Sequence, residues 1–256
     1  MNFFNKNEFF LLEEIVKNNF SSKYKDSVLG ILWSVLNPLL MMILFTILFS
    51  TTFGPSIEFF AVYFLAGKCI FDYFSNTVSM SMYAIKGKKN ILETTSAPKY
   101  VFIIGGIISE LMNLIISVLI LIAVMIVLNV PFHLDLMALS IIPIISMTFM
   151  VIGLGLILSI LCVYYTDIFH LWAVVSTMLM YSSALFFPME MIPEPYYSIL
   201  LLNPLYWGID QFRKLIYQGT FPSIMNIINL LLISLIILVI GVIIFKKYER
   251  KVSMEF

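Results

Sequence analysis

"FFPMEMIPEPYYSILLLNPLYWGIDQFRKLI", residues 186–216, is the stretch on which the reading of this chain turns. It carries four prolines (Pro188, Pro193, Pro195, Pro204) and five charges (Glu190, Glu194, Asp210, Arg213, Lys214), yet stays dense in Phe, Tyr, Trp, Leu and Ile. The prolines interrupt it too often for one helix to cross a bilayer, and its side chains are too apolar for a water-facing loop. Within residues 188–222 there are two apolar runs of roughly ten residues with Asn203-Pro204 between them. Runs that short dip into a membrane rather than cross it. Irregular backbone at that depth persists only where protein or a water-filled cavity covers it. The segment is therefore expected to form a re-entrant helical hairpin on the outer face, with a helix lying flat on the surface as the plainer alternative.

The rest of the chain places that segment in a membrane protein. Of 256 residues, 61% are hydrophobic and 12% charged, and the mean hydropathy is +1.01. A protein this apolar cannot cover its own surface in water. A spanning helix needs about 20 apolar residues, and six stretches qualify: 28–50, 58–84, 100–128, 136–164, 169–187 and 224–245. The fourth contains Pro143, which a membrane helix tolerates when its neighbours satisfy the freed carbonyl. The fold expected is an all-α integral membrane protein of six transmembrane helices. Residues 1–27 are expected to form a cytoplasmic interfacial helix, with Phe9, Leu12, Val16 and Phe20 on one stripe and Glu13 and Lys17 paired at i,i+4. Residues 28–256 form the transmembrane domain. The 27 mixed-charge residues before the first apolar run do not read as a cleavable signal.

Charge sorting sets the orientation. With both termini on one side, that face receives 12 Lys and Arg and the other receives only Arg213 and Lys214, with Lys68 left inside a span. Positive residues stay inside, so both termini are expected to be cytoplasmic at the plasma membrane. The net charge of zero provides no field for nucleic acid. Cys69 and Cys162 lie in apolar runs and read as buried, inert thiols.

Motifs that would support catalysis are missing. "KGKKN" at 86–90 has a lysine but no phosphate-binding loop. His133 and His170 lie at opposite ends of the fourth span, and no nucleophile has a base nearby, so no catalytic residue and no metal ligand is assigned. The second span is more informative. Lys68, Asp72, Ser75 and Ser79 are spaced 4, 3 and 4, which lines one face of a helix, with Asn76 and Tyr83 beside it. A charge at membrane depth costs roughly 2.5–3.5 kcal/mol on insertion scales and so faces protein or water. Glu110 of the third span is expected at a similar depth. These residues form either a polar wall of a translocation path or a helix-packing seam. Tyr24, Trp33 and Asn37 stand at the cytoplasmic start of the first span, where a substrate would enter. Tyr196, Tyr197, Tyr206 and Trp207 stand at the outer end, as gate residues or as interfacial belt aromatics.

The segments "YKDSVLGILWSVLNPLLMMILFTILF" (24–49), "YFLAGKCIFDYFSNTV" (63–78) and "LFFPMEMIPEPYYSILLLNPLYWGIDQFRKLIYQG" (185–219) resemble the membrane subunits of type 2 ABC exporters, in the branch that exports O-antigen, capsule and teichoic acid. The resemblance covers nearly the whole chain in order. It implies a homodimeric permease that binds no cofactor itself and works with two copies of a separate ATPase, which binds ATP and Mg. It further implies a lipid-linked glycan as substrate, moved between the protomers. Loop 85–99 would hold the helix that couples to the ATPase, through Asn90, Ile91, Leu92, Glu93, Thr94 and Lys99. The chain departs from the family pattern at Ala97, at Thr166-Asp167 and at Lys68. Two other readings fit the composition. A drug or small-lipid exporter of the same superfamily would show fewer aromatics than the 23 Phe, 13 Tyr and 3 Trp here. An ion-coupled transporter using Lys68, Asp72 and Glu110 would show internal repeats, of which only the short LNPL echo at 36–39 and 202–205 exists.

Overall fold

The computed structural model describes residues 6–24, 28–30, 32–52, 57–94, 97–193 and 196–252, and they are helical with no strand among them. The helices are α1 (Lys6–Tyr24), α2 (Leu32–Thr52), α3 (Phe60–Lys86), α4 (Lys89–Thr94), α5 (Lys99–Val127), α6 (Leu134–Leu139), α7 (Ile141–Tyr164), α8 (Ile168–Ser182), α9 (Tyr196–Leu200), α10 (Pro204–Arg213) and α11 (Ile224–Val252). A 3-10 turn at Met189–Met191 precedes α9, and a π turn at Lys214–Gln218 follows α10.

α3 is the central helix. Seventeen of its residues are buried, on every side of the helix axis. α5, α7 and α10 pack around it, α11 packs on α7, and α1 lies across the start of α5. Close approach depends on small residues. A Cβ on Gly153 would fall 2.5 Å from the carbonyl oxygen of Ile237, and one on Gly241 would fall 2.5 Å from that of Gly153. Backbones of α7 and α11 therefore touch, the mode by which helices associate where no water drives them together. Gly155 gives Ser81 the same room at the α3–α7 crossing, and Gly105 accepts Ile15 of α1. Around α3 the core is aromatic: Phe45 and Phe64 lie 4.9 Å apart between ring centroids, and Phe45 and Phe186 also 4.9 Å.

The expectation of six spans is corrected. Among the described residues four helical stretches are long and apolar enough to cross a membrane: Leu32–Phe49, Lys99–Val127, Leu134–Tyr164 and Ile224–Glu249. Their length and composition make this a multi-pass membrane protein. The expected second span, α3, has the length, at 27 residues. Its polar stripe removes the uniform apolarity a lipid-facing span requires, and other helices cover it instead of lipid. The expected fifth span, 169–187, stops early. α8 has 15 residues, about 22 Å at 1.5 Å per residue, and Ala184 turns the chain away with φ 51.

The re-entrant hairpin is also corrected. The described residues between 188 and 222 form a run of short pieces, with α9 only five residues long. α10 begins where the sequence marks a start: Asn203 caps it by accepting a hydrogen bond from the Leu205 N–H at 3.0 Å, with Pro204 in the first turn. Its other face is built into the bundle. Leu205, Ile209 and Phe212 are buried, and Gly208 lies against Met147 of α7. Among the described residues two arms of comparable length are not present, and the prolines at 188 and 193 leave only a 3-10 turn between them.

Candidate functional site

The polar residues of α3 serve two tasks, and Tyr73 and Ser79 serve both. One is packing. Ser75 Oγ lies 2.8 Å from Ser176 Oγ of α8, the Trp172 Nε1–H of α8 donates to Ser79 Oγ at 2.9 Å, and the Tyr73 hydroxyl lies 2.9 Å from Thr148 Oγ1 of α7. Lys68 is ion-paired with Asp72 one turn on. The charge cost of Lys68 at this depth is thereby offset within its own helix.

The other task is to line a cavity of about 870 Å³ between α1, α2, α3 and α5. Six of the residues singled out from sequence meet there: Trp33 and Asn37 of α2, Asp72, Asn76 and Ser79 of α3, and Glu110 of α5. Glu110 is 5% exposed. Sequence reasoning missed the rest of the polar lining: Asn19 and Ser22 of α1, Ser34, Tyr73, Lys88, and Asn113 and Ser117 of α5. A signal for α5 existed, because Glu110, Asn113 and Ser117 are spaced 3 and 4, the same helical stripe used to read α3. None existed for α1, whose approach to α5 depends on Gly105.

Two of the path residues described with side chains lie outside the cavity besides Lys68. Ser75 is committed to α8. Tyr83 is 57% exposed and stacks on Phe169, 4.2 Å between centroids, with Lys86 Nζ 5.7 Å from the Phe169 ring. The side chain of Tyr24 lies outside the described residues, as do those of Ile91, Glu93 and Thr94. Of the remaining coupling residues, Asn90 is exposed and Lys99 half-buried at the start of α5. Leu92 packs against a small apolar cluster of Ile85, Ile103 and Phe245. That cluster gathers the ends of α3, α7 and α11 with the start of α5, so Lys86, Lys88, Lys89, Lys99, Lys246, Lys247 and Lys251 belong to one end of the molecule.

The opposite end is marked by a smaller pocket of about 390 Å³ that includes Glu58, Pro131, His133, Pro188, Tyr217 and Gln218. Burial raises the Tyr217 phenol above its usual range. The four aromatics expected as a gate differ in what they do here. Tyr196 is exposed and Tyr197 half-buried. Tyr206 and Trp207 meet edge-on at 5.1 Å, and the Trp207 indole N–H donates to the Leu201 carbonyl at 2.8 Å, closing the α9–α10 turn.

The residue least anticipated is Arg213. It is buried, with Cζ 3.5 Å from the Tyr63 ring centroid. Its guanidinium donates to the carbonyls of Tyr63 (3.0 Å), Ala184 (2.8 Å) and Leu185 (3.1 Å). The Tyr63 hydroxyl donates to the carbonyls of Ala184 and Phe187. The carbonyls left without helical partners after α8 are thus satisfied from α10 and α3. Gly67 leaves the room that the guanidinium fills.

A cavity of amides, hydroxyls, two carboxylates, one lysine and one indole can hold a hydroxylated molecule by many weak contacts. Among the described residues no cluster of three His, Cys, Asp or Glu could hold a metal ion. The profile of the ABC-2 type transporter family matches residues 11–217. An O-antigen export system permease protein RfbA of Klebsiella pneumoniae is 25% identical over 245 residues, covering 95% of this chain and 93% of the relative. The protein of the same name from Myxococcus xanthus is 25% identical over 236 residues, covering 89% of this chain and 88% of the relative.

Proposed function

Since this chain belongs to the ABC-2 type transporter family, and is a transport permease rather than a catalytic subunit, we propose that it forms the channel of an ATP-driven exporter for lipid-linked polysaccharide at the plasma membrane. Likeness to the O-antigen permeases along nearly its whole length supports this reading. The observation that carries it is the cavity between α1, α2, α3 and α5, which collects Trp33, Asn37, Asn76 and Glu110 and includes Lys88 of the basic end. Sugars present flat C–H faces and many hydroxyls. An aromatic face with scattered hydrogen-bond partners lets them bind without being trapped.

The partner would be a separate ATPase, two copies serving a homodimer of this chain. α4 and the start of α5, with Asn90, Ile91, Leu92, Glu93, Thr94 and Lys99, would receive its motion, and that end with both termini would face the cytoplasm. Substrate would pass Tyr24, Trp33 and Asn37 first, and then Ser79, Asn76 and Asp72 of α3 with Glu110 of α5. It would leave beside Tyr196, Tyr197, Tyr206 and Trp207. The test is proteoliposomes holding this chain and its ATPase, loaded with a fluorescent lipid-linked oligosaccharide. ATP should drive the label across, and Asn37→Ala with Glu110→Gln should slow it at least about tenfold while ATP hydrolysis continues. Movement of a hydrophobic dye but not of the oligosaccharide would point to a drug exporter and reject the proposal.

A further inference from the structure

Left-handed backbone gathers at one place, the smaller pocket at the end opposite the lysines. Phe59 (φ 52) stands in the pocket wall, and Asn129 (φ 53) directs Val130 and Pro131 into it. Ala184 (φ 51) is tied to it through Tyr63, which lines the pocket and donates its hydroxyl to the Ala184 carbonyl. These three are all the described residues other than glycine with positive φ. Gly219 (φ 64) ends the π turn that carries Tyr217 and Gln218 into the same pocket, and the His133 imidazole rests where a side chain at 219 would stand. A residue as bulky as Phe rarely accepts left-handed backbone. Such strain, like a π turn, concentrates at sites that hold a ligand.

The lining has the chemistry of such a site. A volume of about 390 Å³ falls in the range of small-molecule pockets. Among the described residues it shares no lining residue with the larger cavity. Tyr217 is half-buried, and with Pro131 and Pro188 it supplies apolar ring surface. Glu58 and Gln218 are exposed beside it. A carboxylate accepts from two neighbouring hydroxyls at once, and an amide or an imidazole both donates and accepts. A quaternary ammonium ion would use the aromatic rings and Glu58 but has nothing to accept from Gln218. A pyranose ring, with apolar C–H faces and a rim of hydroxyls, uses both kinds of surface. Resting on the reading above, we propose that this pocket is a second sugar site, which holds one pyranose ring of the glycan as it emerges.

The test is protection of a cysteine in the intact chain, held in phosphatidylcholine nanodiscs with Cys69 and Cys162 replaced. Gln218→Cys lies in the pocket, and Thr220→Cys, two residues on, does not line it. The probes are methyl glycosides of glucose, galactose, mannose, rhamnose and N-acetylglucosamine. At about 10 mM, a glycoside bound with a Kd of about 1 mM should slow thiol labelling of Gln218→Cys about tenfold and leave Thr220→Cys unchanged. Adding Glu58→Gln or Tyr217→Ala should abolish the protection, and Tyr217→Phe, which keeps the ring, should retain most of it. Sorbitol, with hydroxyls but no ring, should not protect. The proposal is overturned if every glycoside slows labelling less than about twofold, if sorbitol or the Thr220 position shows the same protection, or if choline alone protects. Asn37→Ala with Glu110→Gln should leave the protection in place. If that pair removes it, the sugar sits in the larger cavity, which rejects this site and leaves the permease reading standing. Failure of ATP-driven export in proteoliposomes rejects the permease reading without altering the labelling result.

Discussion

Arg213 shows what one residue can hold together. A buried guanidinium is costly to desolvate, and here carbonyls rather than a carboxylate satisfy it, with the Tyr63 ring across its face. Removing the side chain takes its donors from the carbonyls of Tyr63, Ala184 and Leu185, and only Ala184 keeps the Tyr63 hydroxyl. Arg213→Gln should therefore destabilise the purified chain by roughly 2–4 kcal/mol, and Arg213→Lys by less, read as loss of the monodisperse peak after heating in detergent. Tyr63→Phe removes one hydroxyl donor and should cost about 1 kcal/mol. Thr46 runs the other way: its hydroxyl is buried with no hydrogen-bond partner. Thr46→Val, nearly the same shape, should leave stability unchanged or raise it by up to about 1 kcal/mol. Neither role was legible in sequence. Arg213 looked like a loop charge beside Lys214, because its acceptors lie 28, 29 and 150 residues away. Lys214 takes the ordinary part instead, pairing with Asp210 at 2.7 Å one turn back.

Among the elements, legibility followed how local the cause was. The start of α10 was visible at Asn203-Pro204, and α2, α5 and α11 were visible as apolar runs, since capping and hydropathy belong to a few consecutive residues. The stripe on α3 was visible too, but not its consequence, that this helix sits at the centre. The end of α8 was invisible because Ser182 to Phe187 read as more of the same apolar run, and what stops the helix comes from α3 and α10. The cavity needed four helices to meet. Helix spacing can also be tested. Gly153 faces backbone of α11, which cannot give way, so Gly153→Ala should destabilise by about 1–3 kcal/mol. Gly106 faces only the flexible Met80 side chain, 3.2 Å from an added Cβ, and Gly106→Ala should stay within about 0.5 kcal/mol. Equal losses at the two sites, in the same heating assay, would mean that the α7–α11 contact is looser than described.

For the whole molecule, the decisive property is that it has two unlike ends. One gathers seven described lysines around the tips of α3, α5, α7 and α11, and the other holds Glu58, Pro131, His133 and Gln218. In a background with Cys69 and Cys162 replaced, cysteines at Asn90 and Lys247 should resist an impermeant thiol reagent in intact cells and react after lysis. One at Thr220 should react in both. Labelling of Lys247→Cys from outside would reverse the proposed orientation. The glycine crossing has a consequence for how the protein is made. α11 leaves the ribosome after α7, its seat at Gly153 having been synthesised some 80 residues before the Ile237 that covers it. Until α11 arrives, Gly153 and the carbonyls around it present a bare strip of backbone to lipid. The nascent chain therefore waits in an unfinished state through the whole of α8 to α10. A chain that stalls in that interval shows the membrane proteases an unclosed seam, and its abundance, more than its activity, would report the defect.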